Sequence, residues 1–461
     1  MECYKSEMLA EVVTMLFLTY NKVRMGPRPT SIVGRYLFPL SGGGRIPHFD
    51  ITVCCNCFRC YNNLFKGLCR KKILFFFILF FSVLFSVECV AEEKSSMMDE
   101  ILKPQLESTE IKNLQKNLEE TMTDEAKELL PYYSSKQLMD ELIKGNAQEE
   151  LKTIPDKLLN ILIGEIKEHF SLILKLVIII FLTAFIKNLQ GSFKESTVGE
   201  LAYFSCYAAI VTMVALGFQS VLQYAGEVLE AVNMITGFAV PALLALLISS
   251  GNIVSGSALQ PVLLIAIQGT VKVFQNVFIP LCFLSGVLYI VSGLSDRIKI
   301  SGMASLLKKI VVWGLAGILT LYGSLVAIQG VTGAVIDGAT MKTAKVAMNT
   351  FIPVAGKYMA DAADTIINCA LVIKNTAGVV TMLITLAVCL IPILKISVIA
   401  MMYRFAAAVI EPVAEERLFD CLTDVSDCIR IILGIVGSAM FMLLLSIGAL
   451  LGAGGISGMM Q

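Results

Sequence analysis

"PVAGKYMADAADTIINCALVIKNTAGVVTMLITLAVCLIPILKISVIA", Pro353 to Ala400, carries the two themes of this chain in one stretch. Its second half, 376–399, is a mostly apolar run with Lys395 as its single charge and Pro392 within it. About 20 such residues suffice to cross a bilayer core as a helix. The first half is polar on one side. Pro353 suits a first helical turn, where its missing N–H costs nothing. Lys357, Asp361, Asp364 and Asn368 then follow at intervals of four, three and four, so they share one helix face. Met359, Ala362, Ala363, Ile366, Ile367 and Ala370 take much of the remainder, and the polar pair Lys374–Asn375 closes the segment. The pattern predicts an amphipathic helix at a water boundary that feeds a membrane span.

Working outward, the apolar theme repeats. Segments of spanning length fall at 171–189, 201–223, 232–250, 261–292, 306–328, 376–399 and 430–452. The 261–292 run is long for one span and holds Pro261, Lys272 and Pro280, which leaves a broken helix, a hairpin, or a span with an interfacial piece. Composition agrees: 461 residues, 56% hydrophobic, only 16% charged, mean hydropathy +0.75. Soluble domains carry about 25% charged residues. Lys+Arg and Asp+Glu balance at 37 each, without the basic surplus a nucleic-acid binder needs. A membrane β-barrel would show roughly ten-residue alternating segments, and these runs are longer and continuous. The fold class is therefore all-α, a polytopic helical membrane protein of about six to eight spans over 169–461, in contact with the lipid bilayer.

The front end reads as targeting. Arg70, Lys71 and Lys72 precede an apolar core from Ile73 to Val87, and Cys89-Val90-Ala91 offers small residues ahead of an acidic stretch. That is the grammar of a signal peptide, placed at 67–91. Residues 1–66 precede it and are expected to be a non-native upstream extension from a misassigned start. Within them "CCNCFRC" (Cys54, Cys55, Cys57, Cys60) is too compressed for paired structural zinc ligands, and no metal or cofactor is expected. From Glu92 to Glu168 the chain has 18 acidic residues, 10 lysines and no arginine. Its apolar residues recur every three or four positions, so 92–168 is read as an amphipathic helical region delivered outside the cytoplasm. Its apolar faces are expected either to pack together or to bind a partner.

Charge placement orients the rest. Lys187 and Lys194 are expected inside, Glu227 and Glu230 outside, and the cluster Arg297, Lys299, Lys308 and Lys309 inside. Reaching that cluster from Glu230 needs an odd number of crossings, whereas the sequence shows two apolar blocks. Residues 329–375 then lie outside and "YRFAAAVIEPVAEERLFDCLTDVSDCIR" (403–430) inside. Gly434, Gly437, Gly448 and Gly452 are candidate helix-packing positions, since small residues let membrane helices approach closely. Chemistry is scarce: two histidines, no phosphate loop, no metalloprotease motif. Lys175, Lys272 and Lys395 are the candidate intramembrane charges. Nothing nucleophilic or metal-binding accompanies Asp361 and Asp364, so Lys357, Asp361, Asp364 and Asn368 are candidate partner- or lumen-facing residues rather than catalysts. No enzymatic activity is expected.

The Pro353–Val380 stretch, the span after it, "YRFAAAVIEPVAEERLFDCLTDVSD" and "SGLSDRIKISGMASLLKK" together resemble the stage III sporulation protein AE family. The resemblance covers roughly residues 70–461. It implies a multi-pass protein of the mother-cell membrane around the forespore, with the N-terminal part of the mature chain extracytoplasmic. It further implies a channel complex with other membrane proteins of the same sporulation operon and a forespore-membrane partner. In that complex the chain would be a scaffold or permease-like pore subunit needed for late forespore development. The competing reading of the residues is a stand-alone secondary transporter of a small solute, with "SSGNIVSGSALQP" (249–261) as a polar break near the midplane.

Overall fold

The computed structural model describes residues 108–130, 134–144, 153–190, 196–293, 300–351, 355–412 and 416–459. The upstream extension, the CCNCFRC cluster, the signal peptide and the start of the acidic region lie outside the described residues. Every described element is helical: α1 Thr109–Thr121, α2 Asp124–Leu129, α3 Ser135–Lys144, α4 Ile154–Gln190, α5 Ser196–Ser249, α6 Ile253–Val273, α7 Ile279–Ser292, α8 Ser301–Phe351, α9 Ala355–Ile410 and α10 Glu416–Met459. A π-helical turn, Phe274–Phe278, joins α6 to α7.

The three short helices show why the acidic region folds. In α1 the three-and-four spacing buries Ile111, Leu114 and Leu118 and leaves the charged positions outside. Thr123 caps α2, its side chain accepting from the Ala126 N–H at 3.3 Å, and Asp124 and Glu125 occupy the electropositive first turn. Glu119 of α1 receives Ser134 Oγ at 2.8 Å and both the N–H and Oγ of Ser135 at 3.1 and 2.9 Å, so α1 caps α3 across space. The apolar faces left over do not wait for a partner. α1 packs on α5 and α9, α2 on α4 and α9, and α3 on α1 and α9.

Among the described residues, six helices are long and apolar enough to cross a membrane: Asp156–Ile186, Ser205–Ser249, Val262–Ser292, Ser301–Ile328, Thr365–Ile410 and Glu416–Gly452. The two segments expected at 201–223 and 232–250 are one helix, α5. Glu227 and Glu230 do not break it, because both side chains are exposed while Val228, Leu229 and Val232 between and beyond them are buried. Two carboxylates on one outer face leave the buried stripe intact. As candidate spans, α5 and α6–α7 give two crossings between Lys194 and Arg297, the even number that the expected placement of both on one side requires.

The 261–292 run is neither a hairpin nor an interfacial piece but one path with a local change of helix type. Pro280 has no N–H to offer the carbonyl of Asn276, and the wider π turn at 274–278 sits just before it. The stretch 249–261 is a tight helix-to-helix turn and the start of α6. Gly251 adopts φ 86°, a left-handed conformation glycine enters without steric cost, and Asn252 Nδ2 donates to the Ser250 carbonyl at 3.3 Å.

α5, α9 and α10 form the centre of the bundle, with α6–α7 and α8 on one flank and α4 on another. Side-chain-to-backbone bonds tie the helices: Tyr207 OH to Ile290 O at 3.0 Å, Ser285 Oγ to Ala304 O at 2.9 Å, Ser426 Oγ to Ala400 O at 3.0 Å, and Tyr322 OH to Met442 O at 3.0 Å. Such bonds spare buried hydroxyls the cost of desolvation. The outer helices turn apolar residues outward, Phe170, Ile178 and Phe185 on α4 and Leu306, Trp313, Leu321 and Ile328 on α8. Large exposed apolar surfaces of this kind suit hydrocarbon rather than water.

Candidate functional site: charged groups inside an apolar bundle

Charge enters the bundle at three places. The first is Lys395 on α9. Its Nζ donates to Glu125 Oε1 of α2 at 2.8 Å, lies 3.6 Å from Glu165 Oε1 of α4, and sits 5.5 Å from the ring centroid of Tyr224 on α5. His169 Nε2, one turn along α4, is 3.6 Å from Glu165 Oε2. Four elements meet at this ammonium, and its side chain is only 15% exposed. An amine so shielded needs a carboxylate close by, and two supply it. Of the three lysines singled out in the sequence, only this one belongs to such a site. Lys175 and Lys272 are exposed on the bundle surface.

The second place lies near the ends of α8, α9 and α10. Lys308 Nζ donates to Asp427 Oδ2 at 3.0 Å and lies 3.9 Å from Asp424 Oδ1. Arg404 Nη1 is 3.6 Å from Asp427 Oδ1, and Arg430 pairs with the same oxygen. The ammonium of Lys308 also lies 5.6 Å from the Tyr289 ring centroid. The basic segment at 297–309 and the acidic segment at 420–427 were separate features of the sequence; the fold couples them through Lys308. On α9 the residues between Lys395 and Arg404 bury Ile396, Val398, Ile399, Met402 and Tyr403, so the two charged layers are divided by packed apolar side chains.

The third is Lys374, which the sequence suggested as part of a polar pair closing the amphipathic, water-facing segment, and which the fold instead buries. It is 1% exposed, and its Nζ donates to the backbone carbonyls of Leu450 and Leu451 on α10 at 3.2 and 3.1 Å. A backbone carbonyl has a second lone pair free beside its helical hydrogen bond, which lets these two accept from the buried ammonium. Gly378, one turn on, lets α10 come close: a Cβ there would collide with the Leu451 side chain. The only sequence signal was a lysine three and four residues from small or apolar positions on both sides, Ala370, Leu371, Ala377 and Gly378.

The candidate partner-facing residues divide. Lys357, Asp361 and Asp364 fall on the backbone of α9, with their side chains outside the described residues, and Asn368 is exposed. The candidate packing glycines sit along α10. A Cβ at Gly434 would meet only the Leu315 side chain, at 3.8 Å, and at Gly437, Gly448 or Gly452 nothing within 4 Å. Tight approaches are found at Gly217, Gly286 and Gly314. Gly217 faces the Tyr403 hydroxyl, Gly286 faces the Phe218 ring at 3.2 Å, and Gly314 faces the Phe278 ring at 2.6 Å. Among the described residues six cysteines are free, five of them buried. Among the described residues no group of three or more His, Cys, Asp or Glu is placed to hold a metal ion.

The model of the stage III sporulation protein AE family matches residues 133–454. A Bacillus subtilis (strain 168) protein bearing the name Stage III sporulation protein AE is 32% identical over 337 residues, which is 72% of this chain and 83% of that relative. No solved structure matches the chain.

Proposed function

This chain belongs to the stage III sporulation protein AE family, and from that premise we propose that it is a non-enzymatic membrane subunit of the sporulation channel complex linking mother cell and forespore. In this reading it sits in the mother-cell membrane around the forespore. It serves as a scaffold or permease-like pore subunit for late forespore development. Its partners are the other membrane proteins of the same operon and one in the forespore membrane.

The observation that carries this reading is helix length. α5, α8 and α9 have 54, 51 and 56 residues. Each is therefore about 80 Å long, against a hydrocarbon core of roughly 30 Å. More than half of each helix must project from the membrane, which suits a protein that meets others across an intermembrane space. With α5 as one crossing, Lys194 and Arg297 fall on the cytoplasmic side, and the α5–α6 turn and the α8–α9 connection fall outside with the signal-peptide-directed N-terminal region. The helix face bearing Lys357, Asp361, Asp364 and Asn368 then lies on the projecting part, where it serves as the contact surface. The packed apolar layer between Lys395 and Arg404 favours a scaffold over a subunit that conducts along its own axis.

The test is reconstitution. The purified chain alone in liposomes is expected to show no saturable solute flux, and flux is expected only with its operon partners. Saturable transport by the chain alone would establish the stand-alone transporter instead. The double substitution Asp361→Ala with Asp364→Ala is expected to insert normally and to lose partner recovery and sporulation efficiency. Wild-type recovery of both would remove that face from the contact.

A further inference from the structure

Asp427 gathers cations from three helices, and two of them still face outward. Arg404 of α9 and Arg430 of α10 share its Oδ1, while Lys308 takes Oδ2 and approaches Asp424. Three cations from three helices thus gather around Asp427 and Asp424. The Lys308 side chain is 23% exposed, whereas Arg404 is 54% and Arg430 48% exposed. Their surroundings are apolar. Met401 and Phe405, flanking Arg404, are each 56% exposed, and Gly434, one turn beyond Arg430, leaves open space over α10 apart from the Leu315 side chain. Arg404 lies six residues before the end of α9 at Ile410, a rise of about 9 Å.

Outward guanidiniums ringed by apolar side chains suit one kind of molecule, an anion with hydrocarbon attached. A guanidinium fork matches phosphate oxygens in pairs, and basic sites between membrane helices favour anionic headgroups. We propose that Arg404 and Arg430 bind the phosphate of an anionic phospholipid, phosphatidylglycerol or cardiolipin, whose acyl chains lie along Met401 and Phe405. The site is independent of the assembly reading and of which side of the membrane this end faces. Gly434 has its use here: the absent side chain keeps the space beside Arg430 open for the headgroup.

The experiment uses the full chain purified in a zwitterionic detergent. Lipid retained by the protein is measured by native mass spectrometry, and the melting midpoint is followed with added cardiolipin, phosphatidylglycerol, phosphatidylcholine or inorganic phosphate. Anionic lipids are expected to be retained and to raise the midpoint; phosphatidylcholine and inorganic phosphate are not. Arg404→Gln leaves Asp427 paired with Lys308 and Arg430, so the fold is kept. It is expected to weaken anionic-lipid retention about tenfold, equivalent to one charge-assisted bond of about 1.4 kcal/mol. Lys309→Gln, which removes an exposed charge at the same end of α8, is expected to change nothing. Met401→Glu keeps both arginines and is expected to expel the lipid, which holds the test open should Arg404→Gln lower the yield. Equal stabilisation by inorganic phosphate would mean a soluble anion and overturn the lipid assignment. Unchanged retention in both Arg404→Gln and Met401→Glu, or an equal loss in Lys309→Gln, would overturn the site.

Discussion

Lys374 and Lys395 solve the same problem in different ways, and the difference predicts how each tolerates change. Lys395 has two carboxylates and keeps some exposure. Lys374 has only backbone carbonyls and is closed off from solvent. The carbonyls of Leu450 and Leu451 lie inside α10 and have helical partners of their own, so losing the amine leaves no orphaned acceptor. Replacing a buried charge by an apolar group of similar volume is often neutral or stabilising. Lys374→Met is therefore expected to change stability by less than about 1.5 kcal/mol. Lys374→Glu would set a carboxylate against two carbonyl oxygens and is expected to cost on the order of 3–5 kcal/mol. Melting midpoints of the purified variants measure both. If the methionine variant falls as far as the glutamate variant, the ammonium–carbonyl bonds are essential and the argument fails. Gly217 offers a second check at this scale. Gly217→Val would displace the Tyr403 hydroxyl from the Met213 and Val214 carbonyls, which it reaches at 3.5 Å, and overpack the α5–α9 contact by about 1–3 kcal/mol.

Among the elements, α1–α3 illustrate how an amphipathic pattern announces a buried face without naming what buries it. The three-and-four spacing of Ile111, Leu114 and Leu118 was legible, and so was the solvated charge opposite. The covering surface, α5 and α9, lies about a hundred residues or more away in sequence, and no local pattern encodes that pairing. Glu125 to Lys395 ties α2 ionically to the bundle centre, beside the buried Ala126 and Leu129. Lys395→Met is expected to loosen α2 and speed proteolytic cleavage near residues 121–135 several-fold in the detergent-solubilised chain, with little change in the melting midpoint of the bundle. Cleavage at the wild-type rate would show that apolar packing alone seats these helices. α5 teaches the complementary lesson. Glu227 and Glu230 read as a loop because charge in an apolar window usually marks water. A helix longer than the bilayer can carry exposed carboxylates on one face and continue.

For the whole molecule, the merged α5 leaves six described helices that could cross a membrane, and the proposed orientation makes their two ends chemically distinguishable. With the native cysteines removed, a cysteine at Asp364 is expected to react with an impermeant thiol reagent from outside, and one at Asp424 only after permeabilisation. The reverse pattern would invert the orientation. Membrane class, helical content and the family were all legible from composition, hydrophobic run length and long characteristic segments, because each is written in neighbouring residues. The sequence by itself thus determined that this chain crosses a membrane several times and which ends carry its positive charge. Only the tertiary structure decided that two apolar segments are one helix, that Lys374 rather than Lys175 or Lys272 is buried, and that Lys308, Arg404 and Arg430 converge on Asp427. The reason is physical. Hydropathy is a property of each residue and its neighbours along the chain, whereas burial and charge pairing depend on which distant helix turns its face to that residue, a choice made by the packing of the entire bundle.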